Sequence, residues 1–127
     1  MREEQEVLMD GPLAAAWLRY GRDVTVVSLS GELDNSNVAT ARQAIADAVG
    51  ADEEGQLLVV DLTGLEFIDS SGIALLVSLA GFGGSGGGLR IVPSAAPAVA
   101  RVLTLTGIDS MVKVPGRQPR RGAATRA

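Results

Sequence analysis

The 127-residue chain contains no cysteine and no histidine, a single lysine, and aromatic side chains at only 3 %. Each absence removes a class of chemistry. Without cysteine there is no disulfide and no thiolate metal ligand. With histidine missing too, the usual structural zinc sets cannot be assembled. Neither a Ser-His-Asp nor a Cys-His nucleophile can be built. General acid–base work near neutral pH would fall to a strongly shifted carboxylate or to Lys113. These gaps argue against an enzyme, and neither a cofactor nor a metal is expected. No apolar run approaches the roughly 18–20 residues of a membrane span. The opening "MREEQEVLMD" lacks the basic-then-apolar order of a signal peptide. The chain therefore reads as cytoplasmic, with no membrane partner.

What remains is an aliphatic chain of small residues, 46 % apolar, of a length that suits one domain. Its charge is uneven. Residues 1–112 carry 15 acidic and 6 basic side chains, a net of −9, whereas residues 113–127 carry 5 basic and no acidic ones. An acidic body does not favour a phosphate backbone, so no direct nucleic-acid partner is expected. The tail over 116–127 is basic without an apolar face and reads as disordered. Residues 1–12 read as a flexible N-terminus, which leaves residues 13–115 as the folded domain.

Periodicity divides that domain. "LAAAWLR", the turn "YGRD" and "VTVVSLSG" read as strand, turn, strand. Val24, Thr25, Val26 and Val27 put β-branched residues on both faces, which predicts cover on both sides of the second strand. In "ELDNSNVATARQAIADAVG" the period changes. Val38, Ala41, Ile45, Ala48 and Val49 share a helical face, with Asn35 or Ser36 as cap and Gly50 as stop. "LLVVDL" reads as a buried parallel strand, and "TGLEFI" crosses the top of the sheet. "DSSGIALLVSLAG" is helical, with Ile73, Leu76, Val77 and Ala80 on one face, and "GFGGSGGG" stops it as a loose link. "LRIV" is a further strand. "PSAAPAVARVLTLTG" is a third helix with Pro97 in its first turn, Val99, Val102, Leu103 and Thr106 on one face and Gly107 at its end. "MVKV" closes the domain as a short last strand. The alternation predicts an α/β layer on a mixed, mostly parallel sheet.

Two polar junctions stand out. "DSSG", residues 69–72, follows an apolar strand and opens a helix, where the ligands of α/β layers bind. One reading is a cap: Asp69 or Ser70 satisfies the orphan N–H groups of the helix start. A cap needs one residue, however, and three small polar residues with a glycine are present, so a function beyond capping stays open. A nucleophile elbow would need glycines on both sides of the serine and a base, and neither condition is met at Ser70. The tract "GGSGGG" lies after a helix and before a strand, with no lysine at its end, which is the wrong order for a P-loop. A phosphorylated receiver built on Asp61 lacks the second acidic pair and the lysine. The second junction, "GELD", places Asp34 after a strand and before a helix, at the same end of the sheet as Asp69.

"VTVVSLSGELD", then "LLVVDLTGLEFIDSSGIALL", then "PAVARVLTLTGI" resemble the bacterial anti-sigma factor antagonist family, the STAS domain, in order from about Leu13 to Val114. The resemblance implies a small sheet with helices stacked largely on one side. It implies a protein that, unphosphorylated, binds an anti-sigma factor that is also a serine kinase and so frees a sigma factor. Phosphorylation of the first serine of the motif breaks that binding, and a serine phosphatase restores it. Carried over, Ser70 is the phosphoacceptor, Asp69, Ser71 and Gly72 complete the motif, and Asp34 lies by the partner surface. Two features depart from the pattern. The tail does not suit the C-terminal helix that members often carry, and the helix after the motif is cut short by glycines. The competing readings are an accessory STAS subunit of a transport or signalling assembly without a phosphate cycle, and a small α/β enzyme. The oligomeric expectation is a monomer or a weak dimer.

Overall fold

The computed structural model of the chain describes residues 3–51 and 54–110. Its first three strands, β1 (Glu3–Asp10), β2 (Leu13–Tyr20) and β3 (Val24–Leu33), form an antiparallel meander. Within the segment expected to be flexible over residues 1–12, Glu3–Asp10 form a strand at the edge of the described sheet. The strand escapes a sequence reading because Glu3, Glu4, Glu6 and Asp10 dilute its apolar signal, and charge is common on an exposed edge.

Burial in β2 and β3 alternates strictly. Leu13, Ala15 and Trp17, like Thr25, Val27 and Leu29, are buried, while Ala14, Ala16, Leu18, Val24, Val26 and Ser28 are half-buried. Period two puts the first set on one face, and that face is the core. Among the described residues, the expected cover on both sides of β3 is thus not found. β-branched residues suit a pleated surface whether or not anything lies over it.

The remaining strands join in parallel. β4 (Leu57–Asp61) pairs with β3, and β6 (Gly88–Val92) pairs with β4. "TGLEFI" does more than cross the sheet: Leu65–Ile68 is a strand, β5, parallel to the far end of β3. Residues 24–28 of β3 pair with β4 and residues 31–33 with β5, so the partner changes between Ser28 and Gly31, and an irregularity follows between Gly31 and Glu32 within the pairing to β5. The sheet order is β1-β2-β3-β4-β6, with β5 beside β3.

Helix α1 (Val38–Val49) buries Ala41, Ala44, Ile45, Ala48 and Val49 and lies against β2 and β3. Its alanines let the helix axis approach the sheet closely. Gly50 ends it, with its N–H on the Ala46 carbonyl at 2.9 Å. Arg19 of β2 reinforces that end: its Nε donates to the Ala48 carbonyl at 2.9 Å, which places a cation at the negative pole of the helix. The same guanidinium lies 5.6 Å from the Trp17 ring centroid. At the other end neither Asn35 nor Ser36 is the cap. That position belongs to Asn37, whose side chain turns back instead, accepting from the Asp34 N–H and donating to the Glu32 carbonyl, both at 2.9 Å.

Helix α2 (Ser70–Val77) buries Gly72, Leu75 and Leu76. Val77, expected inside, is 48 % exposed, and Ala80 is exposed beyond the helix end. Two turns set the inward face at positions i, i+3 and i+4 from Gly72, which leaves Val77 outside. The glycine tract, expected as a loose link, is instead fitted against the chain before β4. At Gly83, which has φ +81, a Cβ would stand 2.8 Å from the Gln56 carbonyl oxygen, so only glycine permits that approach. Helix α3 (Pro97–Leu105) buries Val99 and Leu103, lies against β5, and leaves Thr106 exposed at its cap. The expected strand over 111–114 and the tail over 116–127 lie outside the described residues.

Candidate functional site

The two polar junctions read from the sequence meet at one end of the sheet. Parallel pairing of β3 with β5 sets Leu33 beside Ile68, so the chain leaves both strands at the same level. Asp69 N–H then donates to the Leu33 carbonyl at 3.1 Å. The Asp69 side chain completes the junction. Its Oδ1 accepts the Ser71 N–H at 2.9 Å, the Ser71 hydroxyl at 2.6 Å and the Gly72 N–H at 3.2 Å. Its Oδ2 accepts the Asn35 N–H, 3.0 Å away in the other loop. One carboxylate thus caps α2 and ties the β3–α1 loop to it.

Four donors on one carboxylate favour its charged form. The Ser71 hydroxyl bond holds the Asp69 carboxyl below the usual carboxylate range. Partial withdrawal from water opposes this, and the Gly72, Asn35 and Ser71 N–H groups add to the lowering.

Each other motif residue has a distinct place. Ser71 is half-buried, and its hydroxyl is committed to Asp69. Gly72 is buried where α2 crosses β3 and β5. A Cβ there would stand 2.7 Å from Ile68 Cγ1 and 2.9 Å from Leu33 Cγ. Ser70, at the first position of the helix, is exposed, and among the described residues no hydrogen bond holds its hydroxyl. Asp34 is half-buried and serves its own loop: Oδ1 accepts the Ser36 N–H at 2.9 Å and the Ser36 hydroxyl at 2.6 Å.

Sequence reasoning missed the apolar surround. Phe67, just before the motif, is 49 % exposed, and Ser70, Ala74 and Val77 form an exposed line at i, i+4 and i+7 on α2. The polar–apolar alternation that would have placed Phe67 outside is too short in a four-residue strand. Exposed Glu32 and Glu66 border the same end. Two hollows among the described residues lie elsewhere. One of about 310 Å³ runs between the C-terminal ends of α1 and α2, lined in part by Ile45, Val49, Leu79 and Phe82. Another of about 550 Å³ lies around Arg19, Arg22 and Glu54. Ser70 lines neither of these. Among the described residues no group of three or more acidic side chains could hold a metal ion, and no helix is long and apolar enough to cross a membrane.

A sheet meandering into parallel strands, with a serine-bearing motif opening the second helix, is the arrangement of a single small α/β domain. A family model described as "Mlab, STAS domain" matches residues 18–113, and the chain belongs to that STAS-domain family. It is 28 % identical over 97 residues to the anti-sigma F factor antagonist of Paenibacillus polymyxa, covering 76 % of this chain and 82 % of that protein. An anti-sigma factor antagonist from Mycobacterium paratuberculosis superposes with a TM-score of 0.61 at 30 % identity, over 91 % of this chain and 87 % of that one. The anti-sigma factor antagonist SpoIIAA in its unphosphorylated form shares the fold, with a TM-score of 0.58 at 24 % identity over 85 % of this chain and 84 % of that one.

Proposed function

We propose that this protein is an anti-sigma factor antagonist switched by phosphate at Ser70. Its unphosphorylated form binds an anti-sigma factor that is also a serine kinase, and the sigma factor is released. The observation that carries the reading is the division of labour within the motif. Asp69 and Ser71 satisfy each other and the helix start, so the cap does not need Ser70, and the one uncommitted hydroxyl is the exposed one.

The phosphoryl step is a displacement. Ser70 Oγ attacks the γ-phosphorus of ATP held by the kinase, the new Oγ–P bond forms, and the bond to ADP breaks. The hydroxyl proton leaves to a base on the kinase, because this chain has no histidine to take it. The added group carries about −1.5 to −2 charges at neutral pH. At the first turn of α2 it meets the positive end of the helix, worth roughly 0.3–1 kcal/mol in favour of the fold. The domain therefore stays folded. The same charge placed in an interface beside Asp34, Asp69 and Glu66 costs several kcal/mol. At about 1.4 kcal/mol per decade, that is on the order of a hundredfold in affinity or more. The interface term outweighs the local one, so phosphate ends binding without unfolding. A phosphatase resets the switch.

The test uses a cognate anti-sigma kinase with ATP. Mass spectrometry is expected to find one phosphate, on Ser70. Ser70→Ala is expected to bind the kinase permanently and Ser70→Asp to bind weakly. If both variants bound like the parent and no phosphate appeared, the accessory-subunit reading would replace this one.

A further inference from the structure

Asn37 lies outside both polar motifs, yet it is the buried polar side chain of the β3–α1 loop, at 1 % exposed. It stands at the cap position of α1 and does not cap, for its side chain takes no helix N–H. Main-chain carbonyls serve the helix start instead. Val38 N–H donates to the Asp34 carbonyl at 2.9 Å, and Thr40 N–H to the carbonyl of Asn37 itself at 3.0 Å. An asparagine serving helix stability alone would accept from the Ala39 or Thr40 N–H through its side chain. This one gives both ends of its amide to the loop. Oδ1 accepts the Asp34 N–H and Nδ2 donates to the Glu32 carbonyl, each at 2.9 Å. Glu32 is in turn anchored, with its N–H on the Pro12 carbonyl at 3.1 Å. A buried amide must find its partners nearby, so the loop is folded around this side chain.

We propose that Asn37 is a positioning residue for the Ser70 site: by pinning the loop it holds the Asn35 N–H against Asp69, and so sets the clamp from which Ser70 projects. The residue after the pinned Asp34 N–H is Asn35, whose own N–H reaches Asp69 Oδ2 at 3.0 Å. The Asp34 carboxylate does not share this task, because its Oδ1 is taken by the Ser36 N–H and hydroxyl. Among the described residues, the side-chain tie between the two junctions is therefore the Asn35–Asp69 bond, and its donor is placed from behind by Asn37. Without the amide, the Asp34 N–H and the Glu32 carbonyl lose their partner and residues 34–36 gain backbone freedom. Asp69 then loses one of its four donors for part of the time, and the cap of α2 loosens with it. Asn37 bears on function only if Ser70 is the phosphoacceptor proposed above; its hold on Asp69 is independent of that reading.

Asn37→Ala in the full chain tests this. Amide exchange at Asn35, scaled for global stability, is expected to quicken about fivefold, the worth of one net hydrogen bond. Smaller increases are expected at Ser71 and Gly72, and none at Ala44 and Ala48 within α1. The Asp69 carboxyl, followed at its own carbon apart from its neighbours Glu32, Asp34 and Glu66, should titrate closer to the ordinary carboxylate range. It has lost an N–H that favours its charged form. Phosphorylation of Ser70 by a cognate kinase should slow by a similar factor. Thr25→Val is the control: it breaks the buried bond from the Thr25 hydroxyl to Gln56 Oε1, 3.0 Å, at the far end of β3. It should destabilise the fold and leave the scaled exchange, the Asp69 titration and the phosphorylation rate parental. Asn37→Ser, polar but too short to bridge Asp34 and Glu32, takes the place of an alanine variant that fails to fold. A further measurement needs no variant: in the parent, the Asp34, Asn35, Ser71 and Gly72 amides should open together with equal protection. Parental exchange at Asn35 and a parental Asp69 titration in a folded Asn37 variant would overturn the proposal. So would separate protection of the two loops in the parent, or the same changes in Thr25→Val. A loosened clamp with parental phosphorylation would overturn the link to Ser70. Absence of phosphate on the parent would count against the switch itself, and exchange and titration would still decide whether Asn37 sets the clamp.

Discussion

Gly72→Ala is the sharpest probe of how the motif is built. The added Cβ would sit 2.7 Å from Ile68 Cγ1, 2.9 Å from Leu33 Cγ and 3.0 Å from Leu33 Cδ2. Leu33 is fully buried and Ile68 nearly so, so neither side chain can swing into solvent. Overpacking of this kind costs about 1–3 kcal/mol. Alanine is a better helix former than glycine by up to about 1 kcal/mol, less in a first turn. The net expectation is a loss of about 1–2 kcal/mol. Relief of the clash tilts the start of α2 outward, which lengthens the bond from the Gly72 N–H to Asp69 and shifts Ser70 with it. Urea unfolding followed by Trp17, the sole tryptophan, reads the stability. Amide exchange at Ser71 and Gly72 reads the cap, and the rate of Ser70 phosphorylation reads the site. All three should worsen together. A variant as stable as the parent, with unchanged exchange at the cap, would refute the packing argument. A destabilised variant phosphorylated at the parental rate would refute the link from packing to Ser70.

Ser71→Ala is expected to lose the 2.6 Å bond to Asp69 yet still accept one phosphate, on Ser70, by mass spectrometry. Phosphate on Ser71 in Ser70→Ala would show that the division of labour is wrong. The lowered Asp69 pKa sets a pH dependence. A carboxyl depressed in the fold contributes stability that is complete above its unfolded value, near pH 4, and is lost as pH falls through the folded value. Asp69→Asn should therefore unfold more easily than the parent at pH 7, with the gap closing below about pH 4 in a urea–pH series. Leu76→Ala, at a fully buried position, should cost about 2–5 kcal/mol in the same unfolding assay. Phe67→Ala should leave stability within about 0.5 kcal/mol of the parent and weaken kinase binding about tenfold or more by calorimetry.

Much of this architecture was legible in the sequence because burial and period agree. α1 could be read from Ala41, Ile45, Ala48 and Val49, and β4 from an unbroken apolar run, since each pattern fits one geometry. The misreadings share a physical cause: local pattern fails where a few residues decide. β1 hides its pairing behind charge, because an edge strand is exposed on most of its surface. β5 is four residues long, and its strand character comes from β3, which changes partner between Ser28 and Gly31. α2 has two turns, so its buried face is fixed by contact at Gly72 and not by a long repeat. At the site, "DSSG" and "GELD" were legible as polar junctions on one rim. The bond that joins them was not, because it uses the backbone of Asn35, and a main-chain donor leaves no mark in a sequence.

That bond has a consequence for how the surface is presented. Asp69 is held from two loops at once, so the β3–α1 turn cannot drift without disturbing the cap of α2. On the proposed function, a partner approaching Ser70 would meet both turns as one tied rim, with little loop entropy left to lose on binding. The same tie would make the proposed phosphate on Ser70 effective. A mobile loop could swing its new charge away from an interface, whereas Ser70, fixed between a saturated carboxylate and the buried Gly72, must carry it into the contact. The motif thus needs each letter for a separate physical reason: Asp69 to clamp, Ser71 to fill the clamp, Gly72 to let the helix lie close, and Ser70 to stay free.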